Sequence, residues 1–479
     1  MSKINPMDLP LNWRIVRFEE VATFTKKPKG LRYSEYNEVP FVPMNLIPIA
    51  TLFSKEFIRK PSNTLSSGTY FEPGDILLAK ITPSFENGKQ CIIQELPTPF
   101  GIATTEVIPI REVEGVSDKF YLFFYLLLPD VRALLTAKMK GTTGRLRLGA
   151  EVLADLEIPL PPLAEQHRIV VKLEVLFTQL DAAVDSLKKA QVQLHRYRQS
   201  ILKAAFEGEL TKEWRDAYSD SWKSMNLNEF ITLESGSRPK GGVRGILEGI
   251  PSLGGEHLNA DGGFNFKKIK YIPEAYFESL NKGIIYPNDI IVVKDGATTG
   301  KTSFVDSHFP HKYAAINEHL FIVRVDPKVA FPKYVFYYLF SSKGQQQILS
   351  DFRGATVGGI SRNFPLKVTV PIPSLPEQEQ IVFELERHLS VADEIETTLD
   401  AELKRAERLR QSILKQAFSG KLVPQDPNDE QASVLLEKIR KKKEPQQHKQ
   451  KKKTTKVKTT PSAKQLSLDL GFQTVKLDE

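Results

Sequence analysis

An internal repeat of 54 residues limits what this chain can fold into. Residues 158–211 align without a gap to residues 370–423, with 22 identities at a constant offset of 212 residues. The identities include the block Arg-Gln-Ser-Ile-Leu-Lys, which occupies 198–203 and 410–415. Chance would give only a few identities, so the chain is a tandem duplication and its halves should share one fold.

Each copy of the repeat predicts one long helix. In the first copy, Pro161 and Pro162 precede the helix as start signals, and Gly208 follows its last turn as a stop signal. Apolar residues recur in alternating steps of four and three, which is typical of a helix that packs against another helix. These positions are Ile169, Leu173, Leu176, Leu180, Ala183, Leu187, Ala190, Leu194, Tyr197 and Ile201, then Ile381, Leu385, Ala392, Ile395, Leu399, Ala406, Leu409 and Ile413. The two helices should therefore pair, with the polar His388 and Glu402 as register or surface positions.

The segments before the two helices also correspond, but more weakly. "PGDILLAK" (73–80) matches "PNDIIVVK" (287–294), and β-branched and aromatic runs predict a strand-rich domain in each half. The predicted fold class is α+β: two globular α/β domains and two long helices that pair as a coiled coil, in a pseudo-two-fold duplication. The predicted boundaries are 1–157 for domain 1, 158–211 for helical region 1, 212–369 for domain 2, 370–423 for helical region 2, and 424–479 for a Lys-rich, largely disordered tail.

The positive charge of the chain is concentrated at its C-terminus. Residues 440–479 contain 12 Lys and Arg against 4 Asp and Glu, which accounts for the whole net charge of +8. The sequence pI of 9.1 is therefore a property of the tail and not of the domains. Non-specific contact of the tail with DNA and simple solvation are both open interpretations.

The segment "KDGATTGKTSF" (294–304) resembles a phosphate-binding loop at first sight. The motif G-x-x-x-x-G-K-[ST] needs Gly at 295, where Asp295 stands, and a helix after Lys301. Gly88-Lys89 occupies the corresponding place in the first half, so the sequence predicts a duplicated turn between strands. No H-E-x-x-H, Cys-x-x-Cys or Gly-x-Ser-x-Gly motif occurs, and we predict no enzymatic activity for the chain by itself.

Three features predict a cytoplasmic protein without a membrane partner. Residues 1–13 contain no apolar signal core, and the longest apolar run, residues 120–128, is too short to span a membrane. The chain also contains a single cysteine, Cys91, which is typical of a reducing compartment.

The paired motifs together resemble a known family. The motifs I/V-P-x-P-x-L-x-E-Q and R-Q-S-I-L-K, with a D-I-x-x-x-K strand followed by Gly-Lys in each domain, resemble the specificity subunits of type I restriction–modification systems. The resemblance covers roughly residues 10–425 and implies two target-recognition domains, each reading one half of a bipartite, asymmetric site in double-stranded DNA. It also implies that the two helices form an antiparallel coiled coil and dock two methyltransferase subunits, and that restriction subunits join through that core. This chain would bind no cofactor or metal, while S-adenosylmethionine, ATP and Mg would belong to the partner subunits.

Candidate DNA-binding residues are basic and small polar groups in Gly-containing segments, since these can contact phosphates and base edges. They are Lys27, Lys29, Arg32, Lys80, Thr82, Lys89, Thr142, Thr143, Arg145 and Arg147 in domain 1, and Arg238, Lys240, Arg244, Lys294, Thr298, Thr299, Lys301, Arg353, Thr356 and Arg362 in domain 2. Solvated loop charge is the alternative for any single one of them. Candidate partner-binding residues are the duplicated Glu165, Gln166, Arg198, Gln199, Glu377, Gln378, Arg410 and Gln411. For Arg198-Gln199 and Arg410-Gln411, favourable charge near a helix C-terminus is the alternative.

Two other classes of function stay open at this point. A coiled-coil scaffold that joins two ligand-binding domains would show no salt-dependent affinity for DNA, whereas neutralisation of phosphates requires a steep fall with salt. An enzyme of unrecognised type is disfavoured by the absent motifs.

Overall fold

The computed structural model describes residues 9–65, 67–142, 144–218, 221–354 and 358–437 of the 479-residue chain. The chain divides into two compact units, residues 1–182 with 405–479 and residues 183–404. Each unit contains one globular domain with part of each long helix, which agrees with the predicted duplication.

Domain 1 consists of short strands and short helices. In chain order they are β1 (Arg14–Arg17), α1 (Phe18–Val21), β2 (Ala22–Phe24), β3 (Glu38–Val42), β4 (Ile58–Pro61), β5 (Thr69–Phe71), β6 (Ile76–Ala79), β7 (Gln90–Ile92), β8 (Gly101–Ala103), β9 (Val107–Glu112), α2 (Lys119–Tyr125), α3 (Pro129–Ala137), β10 (Lys140–Thr142), β11 (Arg145–Arg147), α4 (Ala150–Ala154) and β12 (Glu157–Leu160). Among these strands, β2-β9-β6-β7 form one four-stranded sheet and β4-β3-β8-β5 form another. Neighbouring strands are antiparallel, apart from the parallel pair β3 and β8.

The first long helix, α5 (Leu163–Phe206), follows domain 1 and leads into domain 2. The next elements are α6 (Lys212–Tyr218), β13 (Lys223–Asn226), β14 (Ile231–Ser235), β15 (Ile250–Leu253), β16 (Lys270–Ile272), α7 (Glu274–Glu278), β17 (Ile290–Val293), β18 (Thr302–Phe304), β19 (Ala315–Ile316), β20 (Leu320–Val325), α8 (Pro332–Phe340), α9 (Ser342–Leu349), β21 (Thr369–Ile372) and the second long helix, α10 (Leu375–Ala417). The sheet β14-β20-β17-β18 repeats the order β2-β9-β6-β7 of domain 1, and β16-β15-β19 repeats β4-β3-β8 with its parallel pair. The duplication predicted from sequence therefore extends to strand order.

The D-I-x-x-x-K motif has a structural explanation in both domains. Asp75, fully buried, accepts a hydrogen bond from Arg111 Nε at 2.7 Å, and Asp289 accepts one from Arg324 Nε at 2.8 Å. Burial raises the pKa of both aspartates, and the facing arginine counteracts that rise. The motif thus ties strand β6 to β9, and β17 to β20, with the same partly buried ion pair.

The Gly-Lys segment is a turn between strands, as predicted. Strand β18 follows directly after Lys301 and pairs antiparallel with β17. Strand β7 follows Lys89 and pairs with β6 in the same way. No helix begins after either Gly-Lys pair in this described part of the chain, so neither loop has the geometry of a phosphate-binding loop.

The two long helices pair antiparallel within each unit. In the second unit, Gln191 bonds to Asp400 at 2.8 Å, and Arg198 contacts Asp393 at 2.5 Å and Glu396 at 2.8 Å. In the first unit, Arg410 forms an ion pair with Asp181. Asp181 and Arg410 are each 212 residues from Asp393 and Arg198, so one ion pair occurs twice, with the two helices exchanged.

The buried seam of the helix pair is narrower than the heptad pattern predicts. Leu385, Ala392, Leu399, Ala406 and Ile413 of α10, spaced by seven residues, are buried. The intervening Ile395 and Leu409, predicted as seam positions, are 44% and 49% exposed, and Tyr197 and Ala183 of α5 are also exposed. A pair of helices covers only one narrow stripe of each partner, and the rest stays open to solvent. Tyr197 Oη lies 2.8 Å from His388 Nδ1, which agrees with His388 as a register position.

Strands β12 and β21 lie at the predicted boundaries between domain and helix. Both belong to the domains, because β12 pairs with β1 and β21 pairs with β13. The predicted helical regions therefore begin with a strand, and helix follows only from Leu163 and Leu375.

The first residues of the predicted tail are ordered. Asp429 bonds to Arg168 at 2.6 Å and Ala432 is buried against domain 1, so the prediction of disorder is wrong for residues 424–437. The remaining tail lies outside the described residues. Cys91 is buried in the core of domain 1. Among the described residues, no single helix is long and apolar enough to cross a membrane; the bent pair α2 and α3 is apolar enough together, and it forms part of the core of domain 1.

Candidate nucleic-acid interface

A backbone junction around Lys80 brings three predicted DNA-binding segments of domain 1 together. Lys80 N donates to Glu106 O at 2.9 Å, and Leu148 N donates to Lys80 O at 2.8 Å. Thr82 N donates to Leu146 O at 3.1 Å, and Thr82 Oγ1 accepts from Leu146 N at 3.0 Å. The loop after β6, the residue before β9 and the β10–β11 hairpin therefore meet at one place, which we call the Lys80 junction.

Domain 2 repeats these hydrogen bonds around Lys294. Lys294 N donates to His319 O at 2.8 Å, and Ile360 N donates to Lys294 O at 2.8 Å. Gly296 N donates to Gly358 O at 3.2 Å, as Thr82 donates to Leu146 in domain 1. We call this place the Lys294 junction. The correspondence pairs Lys80 with Lys294, Ile81 with Asp295, Glu106 with His319, and Arg147 with Gly359.

The side chains at the Lys80 junction form one ion pair on the surface. Arg147 Nε lies 3.1 and 3.0 Å from the two carboxylate oxygens of Glu106, and Nη2 lies 2.8 Å from Oε1. The hydrogen bonds from Arg147 lower the pKa of Glu106, and the charge of Lys80 acts in the same direction. The hydrogen bonds to Glu106 hold the guanidinium of Arg147 in one orientation. The side chain of Arg147 is 51% exposed, so this group lies at the surface.

The Lys294 junction has different side-chain chemistry on the same backbone. His319 Nδ1 lies 2.5 Å from Asp295 Oδ1, and His319 Nε2 lies 3.4 Å from Glu318 Oε1. Arg238 Nε contacts the other oxygen of Glu318 at 2.8 Å. Lys294 Nζ lies 3.8 Å from Asp295 Oδ2. Arg238 and Lys294, both predicted from sequence, are therefore part of one charged network.

The remaining predicted DNA-binding residues fall into two groups. Lys89 and Lys301 are half-buried and donate to Met44 O at 2.8 Å and to Leu258 O at 3.1 Å, so their ammonium groups bind their own domains. Thr299 is half-buried, and its hydroxyl donates to Gly296 O at 2.7 Å. The residues with exposed side chains are Lys27, Lys29, Arg32, Thr142, Arg145, Lys240, Arg244, Thr298, Arg353 and Arg362. Thr143 and Thr356 lie outside the described residues.

Sequence reasoning missed the acidic and imidazole members of both junctions. Glu106, Asp295, Glu318 and His319 were not among the candidates, because the search was restricted to basic and small polar groups. A usable signal was present, since Asp295 follows the duplicated Lys294 directly and Glu106 and His319 stand immediately before corresponding strands.

The duplicated Glu-Gln pair at each helix start lies inside the chain's own domains. The side chain of Gln166 accepts a hydrogen bond from Asp118 N at 2.8 Å and donates one to Pro161 O at 3.0 Å. In the same way, Gln378 accepts a hydrogen bond from Phe331 N at 2.7 Å and donates one to Pro373 O at 2.9 Å. Glu165 accepts from Gln425 at 2.6 Å. Glu377 accepts from Thr211 at 2.8 Å, and from Arg215 and Trp222 at 3.0 Å each.

All four side chains of these Glu-Gln pairs are buried, so the contacts observed give them a structural role. Their direct contact with a partner stays a prediction.

The segment that contains Arg-Gln-Ser-Ile-Leu-Lys also packs on a domain in each unit. The ring of Phe206 lies 5.3 and 5.1 Å from the rings of Tyr334 and Tyr338, and Phe418 lies 4.9 and 5.2 Å from Tyr121 and Tyr125. Of the predicted partner-binding residues here, Arg198 and Arg410 join the two helices, Gln199 accepts from Ser342 at 2.5 Å, and Gln411 is exposed. Binding of a partner by these four residues stays a prediction.

The described residues contain no group of three or more His, Cys, Asp or Glu side chains that could hold a metal ion.

Comparison with known proteins agrees with this architecture. A family model described as type I restriction modification DNA specificity domain matches residues 10–192 and 219–405, one match for each half of the duplication. The chain belongs to this family. Its members supply DNA specificity in type I restriction–modification, and we assign that role to this chain, in preference to a scaffold without DNA binding.

Curated relatives and solved structures agree with the family. The EcoBI specificity subunit of Escherichia coli is 29% identical over 69% of this chain and 74% of its own length. The EcoKI specificity subunit of Escherichia coli strain K12 is 26% identical over 90% of this chain and 96% of its own length. A chain solved in a study of type I R-M complex assembly has a TM-score of 0.69 at 20% identity, covering 86% of this chain and 99% of its own. The HsdS subunit from Thermoanaerobacter tengcongensis has a TM-score of 0.54 at 21% identity, covering 86% of this chain and 98% of its own.

Proposed function

We propose that each domain of this chain reads one half of a bipartite, asymmetric site in double-stranded DNA. The observation that carries this proposal is the contrast between the two junctions. The backbone hydrogen bonds around Lys80 and Lys294 are the same, while the side chains differ at every compared position except the lysine. A constant backbone with varied polar side chains suits two readers that use one docking geometry for two different sequences.

The exposed basic residues of both domains are proposed to contact phosphates or base edges. Lys27, Lys29, Arg32 and Arg145 in domain 1, and Lys240, Arg244, Arg353 and Arg362 in domain 2, present charge that could neutralise backbone phosphates. Thr82, Thr142, Thr143, Thr298, Thr299 and Thr356 are proposed as neutral hydrogen-bonding groups beside them. Lys89 and Lys301 keep only an indirect role, because their ammonium groups hold the loops that carry the other residues.

The partners and chemistry of the complex are part of the same proposal. Two methyltransferase subunits would dock on the paired helices, where Gln411 is exposed and Arg198, Gln199 and Arg410 are half-buried, and restriction subunits would join through that core. S-adenosylmethionine, ATP and Mg would be bound by those partners, in the cytoplasm. The sequence contains none of the sought catalytic motifs, which supports a subunit without catalytic activity of its own.

Exchange of one domain tests the proposal. In domain 2, strand β13 runs antiparallel to β21, with Lys223 opposite Ile372. Replacing residues 223–372 by the corresponding domain of a relative with another site keeps this strand pair within one donor. It also leaves the contact between Trp222 and Glu377 in the host chain.

We expect the methylated motif of the assembled complex, read by sequencing methylated genomic DNA, to change in one half only. The matched control exchanges residues 14–160, because Arg14 lies opposite Leu160 in the pair β1 and β12, and should change only the other half. A change in both halves from a single exchange contradicts independent reading.

A further inference from the structure

We infer that Arg147, held by Glu106, reads a guanine in the half-site of domain 1, and that domain 2 cannot use this position. The inference rests on the proposed function and names a specificity-determining residue and its positioning residue. It begins from the geometry of the guanidinium. Nε and one Nη2 proton face Glu106, and in the described part of the chain Arg147 hydrogen-bonds to Glu106 alone.

No described residue hydrogen-bonds to the opposite edge of the guanidinium, so this edge is open to a second planar acceptor. An arginine presents five N–H groups in a fixed fork, and its Nη1–Nη2 edge offers two parallel donors when the Nε edge is occupied. Guanine presents two acceptors, O6 and N7, side by side in the major groove, and the paired arginine edge matches their spacing. Adenine presents an acceptor and a donor there, and pyrimidines present no such pair of acceptors.

The ion pair also argues for a base edge over a phosphate. Glu106 neutralises the charge of Arg147, and a carboxylate held within hydrogen-bonding distance would repel an approaching phosphate. The ion pair still orients the N–H donors of Arg147, because the carboxylate of Glu106 fixes the plane of the guanidinium. Arg145 provides the contrast, since it is an exposed neighbour two residues away on β11, and no ion pair to it is seen in the described residues. We assign Arg145 to a phosphate.

Domain 2 excludes an arginine at the corresponding place. Gly359 occupies the position of Arg147, and a Cβ added to it would lie 2.7 Å from Asp295 Cβ and 2.7 Å from Lys294 O. A side chain there would require the backbone of the junction to move. The polar groups of this junction come from Asp295 and His319 instead, so the guanine contact belongs to one half-site only.

The test uses the full chain, assembled with its methyltransferase partner in a host that lacks other DNA methylation. The wild-type motif is determined first, and the exchange of residues 14–160 identifies the half read by domain 1. With Arg147→Ala, one guanine of that half should become degenerate, and its preference over the other bases should fall by about tenfold to a hundredfold in competition between oligonucleotides. All other positions of the motif should be unchanged.

Two variants separate base reading from general effects. Arg145→Ala should lower methylation of all sites and leave the motif as it is, because a phosphate contact carries no sequence information. Glu106→Gln should relax the same single guanine less than Arg147→Ala does, since it weakens the orientation of Arg147 and keeps an acceptor.

Three results would overturn the inference: a half-site of domain 1 without guanine, an Arg147→Ala motif identical to wild type, or a uniform loss of methylation with the motif intact. A wild-type complex that methylates no bipartite motif would instead overturn the proposed function.

Discussion

Arg132 shows how the two domains solve one packing problem with different residues. This side chain is 7% exposed, and its Nε and Nη1 donate to Leu126 O at 2.5 Å and Phe85 O at 2.6 Å. Its Nη2 donates to Gln90. Domain 2 has Gln345 in the same place, where Nε2 donates to Leu339 O at 2.7 Å and to Thr302 at 3.2 Å. A buried cation in domain 1 thus occupies the position of a neutral amide in domain 2 and forms similar hydrogen bonds.

We expect Arg132→Gln to change the stability of domain 1 by no more than about 1 kcal/mol, and Arg132→Ala to cost about 2–4 kcal/mol. Burial lowers the pKa of Arg132 to about 9, below its value in the unfolded chain. At pH 7 both states are protonated, so the cost of burying the charge is fully present, and it is relieved only above pH 9. Glutamine removes that cost and keeps a donor, whereas alanine leaves buried carbonyls unpaired.

Hydrogen–deuterium exchange of α3 measures the effect of both variants within domain 1. Gln345→Ala is the control, and it should destabilise α9 and leave α3 unchanged. If Arg132→Gln and Arg132→Ala lowered the stability of domain 1 equally, glutamine would not replace Arg132 and the prediction would be wrong.

At the scale of elements, the start of each long helix is fastened by a buried glutamate to the segment that follows the other helix. Glu165 accepts from Gln425, and Glu377 accepts from Thr211 and Arg215. The two glutamates differ in their partners, because Glu377 forms an ion pair with Arg215 and Glu165 faces the amide of Gln425. The same fold position therefore has two electrostatic environments.

We expect Glu165→Gln to be neutral or to stabilise the first unit by up to about 1 kcal/mol, and Glu377→Gln to destabilise the second by about 1–3 kcal/mol. Burial raises the pKa of Glu165 above its unfolded value. A raised carboxyl pKa favours folding below the unfolded pKa, and this contribution is lost as the pH rises through the folded pKa. At neutral pH, glutamine therefore replaces a charge that burial disfavours, whereas Glu377→Gln leaves Arg215 without its charged partner.

Thermal unfolding of the full chain at pH 5 and pH 8 measures the stability change that each variant causes. The advantage of Glu165→Gln over wild type should be larger at pH 8. If Glu165→Gln stabilised the chain more at pH 5 than at pH 8, or if both variants lowered its stability equally, the two glutamates would not differ in environment as proposed.

These contacts also show which parts of the structure the sequence could predict. The long helices follow from apolar spacing within one segment, and the duplication and the Gly-Lys turn follow from the match between the two halves of the sequence. The Glu-Gln pairs were interpreted as partner-binding because they recur, but two copies of one internal contact produce the same recurrence. The Lys80 and Lys294 junctions were found only in part, since Glu106 and Arg147 lie 41 residues apart and meet only through the folded backbone.

At the scale of the whole molecule, each long helix runs through both compact units. Helix α5 passes from the first unit to the second between residues 182 and 183, and α10 passes between 404 and 405. The ion pair of Asp181 with Arg410 lies wholly in one unit, and that of Arg198 with Asp393 lies wholly in the other. Residues inserted at these two boundaries would therefore leave both ion pairs in place.

We predict that seven residues inserted at both boundaries lengthen the unread gap of the DNA site by about three base pairs. Seven residues keep the buried seam in phase and extend each helix by about 10.5 Å, and a base pair occupies about 3.4 Å along the duplex. The same insertion turns the second half-site by roughly 100° about the DNA axis, at about 10.5 pairs per turn, so affinity should fall as well.

Sequencing the methylated sites of the complex with the doubly lengthened chain measures the gap directly. Insertion into α5 alone is the matched control, and it should abolish methylation because the antiparallel helices lose their common register. The bases of each half-site should be unchanged in the double variant, since no residue of either junction is altered. An unchanged gap, or new bases read within the old gap, would show that the helices do not set the spacing.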